Sequence, residues 1–205
     1  GFNNKGVDYL VKQVKKARYQ GILGINIGKN ADTAIEESLN DYLYCLKQVY
    51  PCASYITINI SSPNTKDLRK LQHTQYLGAL LHKLKNAQSS LTKQYHKYVP
   101  LVIKVAPDLN DYEITELAQA AKELVIDGII ATNTTIDKSE VAEHPLAPQV
   151  GGLSGAPLFE KSNHILTKLL KALDNKLPVI ASGGVMTSQD ALYKLSLGAS
   201  AVQLY

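Results

Sequence analysis

Short apolar runs rich in Val and Ile recur along the chain at residues 22–27, 55–60, 101–106, 128–132, 178–182 and 201–205, each bounded by Gly, Pro, Asn or Ser. Runs of this length and composition predict buried strands. Between them lie longer stretches of helical period at 34–50, 75–91, 114–124, 162–173 and 188–197, and residues 3–19 read as a helix ahead of the first strand. Such alternation requires parallel strands joined by right-handed helical crossovers. Two architectures satisfy it: an open doubly wound sheet and a closed (β/α)8 barrel.

The polar residues choose between them. Nearly every predicted strand ends in small or polar groups: Asn26 and Gly28, Asn59 and Ser61, Lys104, Thr132 to Thr134, Gly183 and Gly184. A barrel gathers all its C-terminal strand ends on one face, whereas an open sheet gathers only those beside its switch point. The expectation is therefore an α/β chain forming an incomplete TIM barrel, with about six of eight units present. The chain opens on Gly1 rather than Met and stops inside an apolar run, so it reads as one partial barrel domain over 1–205, with the first strands and last helix outside it. No long internal repeat or low-complexity linker suggests a second domain. The connections at 63–73 and 137–152 exceed ordinary loop lengths and read as functional lids or as loose surface loops.

With 45% hydrophobic and 20% charged residues the chain has a globular balance. Its net charge of +4 comes from dispersed lysines, and Lys12, Lys15 and Lys16 fit one solvated helix face. No dense basic stripe with interleaved aromatics is present, so nucleic acid is not an expected partner. Cys45 and Cys52 form no C-x-x-C pair and are expected as buried, reduced thiols. The five histidines are scattered, which argues against metal catalysis. Gly24-Ile-Asn-Ile-Gly-Lys-Asn30 lacks the spacing and the Ser or Thr of a P-loop, and no G-x-G-x-x-G follows a strand.

The stretch Asn59-Ile-Ser-Ser-Pro-Asn-Thr65 packs hydroxyls and amides into a strand exit stiffened by Pro63. By composition alone it is a turn. Lys104 ends an otherwise apolar run, where it either snorkels to solvent or faces an anionic partner, because a lone buried charge is expensive. The glycines at 151–155 and 183–184 are ordinary turns taken singly, but near the last strands of a barrel they also suit a phosphate held by backbone N–H groups.

In order along the chain these motifs resemble the quinone-linked dihydroorotate dehydrogenases. Gly1-Phe-Asn-Asn4, Gly24-Ile-Asn-Ile-Gly-Lys29, the Asn59–Thr65 loop, Lys104-Val-Ala-Pro107, Ala131-Thr-Asn-Thr-Thr135, Gly151-Gly-Leu-Ser-Gly155 and Ser182-Gly-Gly184 carry the resemblance. It implies oxidation of dihydroorotate to orotate in de novo pyrimidine (UMP) biosynthesis, with FMN as hydride acceptor and a quinone as final acceptor. It places Ser62 as the base, where the fumarate- or NAD-linked class carries cysteine. A serine hydroxyl is a poor base, so it needs a path for its own proton. The resemblance assigns that path to Thr65, which helps hold a water, and to Phe2, which shields it. Gly1, Phe2, Asn59, Asn64, Asn133 and Thr134 match substrate-binding positions. Asn26, Asn59, Lys104, Thr132, Gly155, Gly184 and Tyr205 match flavin-binding ones, and Lys104 is assigned to stabilise negative charge on the reduced ring.

The same resemblance puts the quinone site and peripheral membrane association in an N-terminal helical region outside this chain. It implies the cytoplasmic side of a bacterial inner membrane, or the mitochondrial inner membrane in a eukaryote. Two other readings stand beside it: a fumarate- or NAD-linked enzyme or another pyrimidine-acting flavin barrel, and a barrel remnant without catalysis. With strands missing, the isolated 205 residues are expected to have unpaired sheet edges, poor solubility and little retained flavin.

Overall fold

The computed structural model describes residues 4–205, apart from the side chains of Thr74 and Gln75. Six strands alternate with six helices. In chain order they are α1 (Val7–Ala17), β1 (Gly24–Ile27), α2 (Ser38–Val49), β2 (Tyr55–Asn59), α3 (Thr74–Tyr95), β3 (Leu101–Val105), α4 (Asp111–Glu123), β4 (Gly128–Ala131), α5 (Phe159–Ala172), β5 (Val179–Ser182), α6 (Ser188–Ser196) and β6 (Ala201–Gln203). The strands form one parallel sheet in the order β1-β2-β3-β4-β5-β6. A doubly wound sheet reverses its order at a switch point, whereas this strict succession is the winding of a barrel. The sheet curls as a half-barrel, with β1 and β6 at its two edges.

Register explains how the sheet separates core from site. Paired residues of neighbouring parallel strands point to the same face, and faces alternate along each strand. One face carries Ile25, Ile27, Ile56, Ile58, Ile103, Val105, Ile129, Ala131, Val179 and Ala181. These pack with helix residues such as Leu46, Leu84, Leu117 and Leu169 in the apolar core. Burying each such side chain contributes roughly 1.5–3 kcal/mol. The opposite face follows the pairings Asn26 with Thr57, Thr57 with Val102, Asn59 with Lys104, Lys104 with Ile130 and Ser182 with Gln203. The polar side chains of the sheet therefore collect on its inner, helix-free side.

Several helix boundaries follow from capping. Asn110 accepts from the Glu113 N–H while Glu113 reaches back to the Asn110 N–H, and Thr187 and Asp190 repeat the arrangement ahead of α6. Helix α3 extends past the expected residue 91 to Tyr95, because its helical period continues until His96 takes a left-handed conformation. The 63–73 connection is not a loose surface loop. It forms a 3-10 turn at Leu68–Gln72 whose Leu68, Leu71 and Gln72 are buried. Cys45 and Cys52 are partly exposed rather than fully buried, since they sit on the outer helix α2 and the turn after it. Lys12, Lys15 and Lys16 lie exposed on α1 as expected.

Lys194 on α6 has no access to solvent. Its Nζ donates to Ser162 Oγ and Asn163 Oδ1, both at 2.7 Å, and lies 5.1 Å from the centre of the Phe159 ring. Burial holds its pKa down to about 8 from an ordinary 10.5, outweighing the attraction of Asp190 and Glu160. Between these values the unfolded chain keeps a proton that the folded chain releases, so this group adds stability as pH rises through the window. Lys194→Met leaves Ser162 and Asn163 short of a partner at every pH but removes the titration. In urea unfolding from pH about 8 to 10.5, wild type is expected to gain stability relative to the variant. Parallel pH profiles would contradict that assignment.

Candidate active site

At the end of β2 the Asn59 side chain turns onto the inner face, and α2 fixes the strand end from behind: the buried Tyr42 hydroxyl donates to the Asn59 carbonyl at 2.6 Å. Burial pushes the Tyr42 phenol well above its ordinary pKa, against a smaller opposing hydrogen bond from the Lys29 backbone, so it remains a donor. Asn59 Oδ1 accepts from the Ser61 N–H at 3.2 Å and from Asn133 Nδ2 at 3.2 Å. The Ser61 hydroxyl donates to the Lys104 carbonyl at 2.6 Å and accepts from Asn133 Nδ2 at 3.1 Å. Ser61 is thereby locked between β3 and the loop after β4.

Ser62 differs from its neighbour. It is 1% exposed, and its Oγ accepts from the Asn64 N–H at 3.3 Å. Among the described residues no hydrogen bond takes its own proton. Of two adjacent buried serines, one is committed to architecture and the other keeps a hydroxyl whose proton can be relayed. Thr65, buried three residues on, closes the loop by accepting the Leu68 N–H on its carbonyl at 3.2 Å.

The loop after β4 faces the serine loop. Asn133 spends its amide on Asn59, Ser61 and the Thr134 N–H, so it organises the site. Thr134 Oγ1 is buried with no partner among the described residues, which is uncommon for a buried hydroxyl. Gly152 makes this closeness possible: a Cβ there would fall 1.9 Å from Thr134 Oγ1 and 2.7 Å from Pro63 Cγ. Asn64 Oδ1 lies under neighbouring Gly151. The end of the 137–152 connection thus seats on both loops, and a Thr135–Leu153 bridge ties it to the β4 exit.

Lys104 stands beside Asn59 on the inner face and is 4% exposed. Its Nζ donates to Tyr205 Oη at 3.1 Å and Gln203 Oε1 at 3.4 Å, and sits 4.6 Å from the Tyr205 ring centre. No carboxylate pairs with it among the described residues. Asn26 lies exposed on β1, and the Thr132 N–H is tied to the Ser182 carbonyl at 2.7 Å. Gly155 and Gly184 both take positive φ, 77° and 74°. At Gly184 a Cβ would meet Phe159 Cα at 2.3 Å, so the glycine turn lies directly against the start of α5. That close packing fits an anion-binding cradle of backbone N–H groups.

An ion-pair network that sequence reasoning missed surrounds these loops. Asp108 pairs with Arg69 at 2.7 Å and Lys161 at 2.9 Å, and Lys161 reaches Asp137 at 3.0 Å. Burial raises the Asp108 pKa, but hydrogen bonds from Thr135, Lys161 and Arg69 together outweigh it and hold the carboxyl below its ordinary value. The only available signals were weak ones: Asp108 directly follows the Lys104–Pro107 motif, and Arg69 lies in an unusually long connection. The positions Gly1 and Phe2 fall outside the described residues.

The dihydroorotate dehydrogenase family model matches residues 1–205. Proteins named dihydroorotate dehydrogenase (quinone) from Neisseria gonorrhoeae and Azoarcus sp. are 55% and 56% identical over 205 residues, covering all of this chain and 61% of each relative. A solved structure of DHODH from Eimeria tenella in complex with ferulenol superposes with a TM-score of 0.92 at 34% identity, over the whole chain and 60% of that protein. The chain spans about three-fifths of the length of these relatives. With every residue matched by one family model and the same fold in a solved member, the chain belongs to the dihydroorotate dehydrogenase family.

Proposed function

We propose that this chain carries the dihydroorotate-oxidising centre of a quinone-linked dihydroorotate dehydrogenase in de novo pyrimidine (UMP) biosynthesis, with Ser62 as the base. The observation that carries the reading is the unequal pair Ser61 and Ser62: one hydroxyl bonded to the Lys104 carbonyl, the other buried with an uncommitted proton. FMN, when bound, supplies the hydride acceptor.

The chain's own groups fit that cofactor. Lys104 is a buried lysine whose partners among the described residues are neutral, which suits a ring that gains negative charge. Gly155 and Gly184, both at positive φ, are the turns assigned to the flavin phosphate, and Gly184 packs directly against the start of α5. Asn26, Asn59, Thr132 and Tyr205 complete the flavin-binding set. Thr134 and the amides of Asn59, Asn64 and Asn133 are assigned to the dihydroorotate carboxylate and ring amides, which need partners in a buried pocket. Asn133 acts there mainly by holding Asn59 and Ser61 in place.

Ser62 takes the substrate proton as its own leaves along the path past Thr65, with Phe2 assigned to shield that path. Serine here favours the quinone-linked class over the cysteine-bearing one. Neither cysteine can substitute, because Cys45 lies midway along the outer helix α2 and Cys52 in the turn before β2, at the opposite end of that strand from Ser62. The quinone acceptor rests on the naming of the relatives, and a peripheral position on an inner membrane rests on the motif resemblance alone. Among the described residues no helix is long and apolar enough to cross a membrane.

In the FMN-loaded protein, Ser62→Ala is expected to slow flavin reduction by dihydroorotate about 10²–10⁴-fold in stopped flow while the bound-flavin absorbance persists. Reduction at the wild-type rate would remove Ser62 from this role. Gly184→Ala forces a methyl against Phe159 and is expected to weaken FMN binding by at least about tenfold in fluorescence titration. Gly6→Ala shares a positive φ but meets nothing within 4 Å, and leaves FMN affinity unchanged. Equal affinities for the two variants would place the phosphate elsewhere.

A further inference from the structure

We propose that Arg69 is the positioning residue of this centre, holding the serine loop and the Thr134 loop at fixed separation through one guanidinium. Its three donor positions reach three different strand exits. Nε donates to the Ser61 carbonyl at 3.1 Å, Nη1 to Asp108 Oδ2 at 2.7 Å and Nη2 to the Thr134 carbonyl at 2.8 Å. The inference rests on the dihydroorotate-oxidising reading of the site.

The chemistry is specific to arginine. The guanidinium is a rigid planar fork, so three acceptors bound to it are fixed in relation to one another. The Ser61 carbonyl and the Ser62 N–H belong to the same peptide plane. Gripping that carbonyl therefore sets the direction in which Ser62 leaves the backbone. On the other side the grip falls on the residue whose Oγ1 is buried without a partner. The base and the group facing substrate are thus tied to one side chain.

Arg69 is itself held on both sides. Its 3-10 turn is anchored by buried Leu68 and Leu71, and by Gln72, whose Oε1 accepts the Ala106 N–H at 2.9 Å. Asp108 orients the guanidinium and also accepts from the Ile136 N–H at 3.2 Å and Lys161 Nζ at 2.9 Å. The Arg69 and Asp108 side chains are 20% and 15% exposed, so the pair is shielded from most solvent screening. All three arms of Arg69 end on protein acceptors, which makes it a positioning group rather than a catalytic one.

The test uses the FMN-loaded full-length protein and separates the saturating rate of flavin reduction by dihydroorotate from the dissociation constant of orotate, read by flavin absorbance. Arg69→Lys keeps the charge but loses the fork. It is expected to lower the saturating rate about 10²-fold and to change orotate affinity much less. Arg69→Gly is expected to show the same loss, with partial recovery on adding guanidinium ion. Asp108→Asn, which keeps the shape of the hub, is expected to fall between wild type and Arg69→Lys. Wild-type rates in Arg69→Lys would overturn the positioning role, as would a slow Arg69→Gly that guanidinium does not rescue. If Arg69→Gly fails to hold FMN, Arg69→Lys and Asp108→Asn decide alone. A wild-type protein that does not reduce its flavin with dihydroorotate would overturn the proposed function itself, and this role with it.

Discussion

A lysine buried on the inner face of a parallel sheet, with no carboxylate beside it among the described residues, is the constraint around which this fold makes sense. Removing an ion from water carries a penalty on the order of several kcal/mol even after relaxation. Among the described residues the Lys104 ammonium meets a tyrosine hydroxyl, a glutamine carbonyl and an aromatic face. The sheet tolerates it because the other face is densely apolar, from Ile25 on β1 to Ala181 on β5, and packs against the helices. One face stabilises the chain while the other keeps an unneutralised charge available.

The loops at the strand exits are built around that charge. Ser61 caps the Lys104 carbonyl, Asn133 bridges back to Asn59 and Ser61, and Arg69 draws the serine loop and the β4 exit together. These contacts leave three groups uncommitted: the Ser62 proton, Thr134 Oγ1 and the positive charge of Lys104. In the proposed function these serve as a base, a substrate contact and an electrostatic partner for an electron acceptor. The site is thus described as much by the polar groups left over as by those that are paired.

The architecture was legible in the sequence because it depends on local pattern. Val- and Ile-rich runs of strand length separated by helical period can fold in few ways, and polar residues at successive strand exits point to a barrel face. All six strands and six helices lie where that pattern put them, with edges shifted by a few residues and α3 extended to Tyr95. The site was legible as a set of motifs, but its division of labour was not. Ser61 and Ser62 are chemically identical in sequence, and what separates them is a hydrogen bond to a carbonyl 43 residues away. Arg69 contacts acceptors 8, 39 and 65 residues distant, which no local pattern encodes. Asn133 matched a substrate position by motif, and only its three-dimensional partners reveal that its amide is already in use.

The midpoint potential of bound FMN tests the proposed role of Lys104, a charge held buried to meet negative charge on a reduced flavin. Lys104→Met keeps the length and apolar body of the side chain and removes the charge. A more negative potential is expected in the variant, because the reduced, anionic ring loses its electrostatic partner. An unchanged potential with FMN still bound would contradict it.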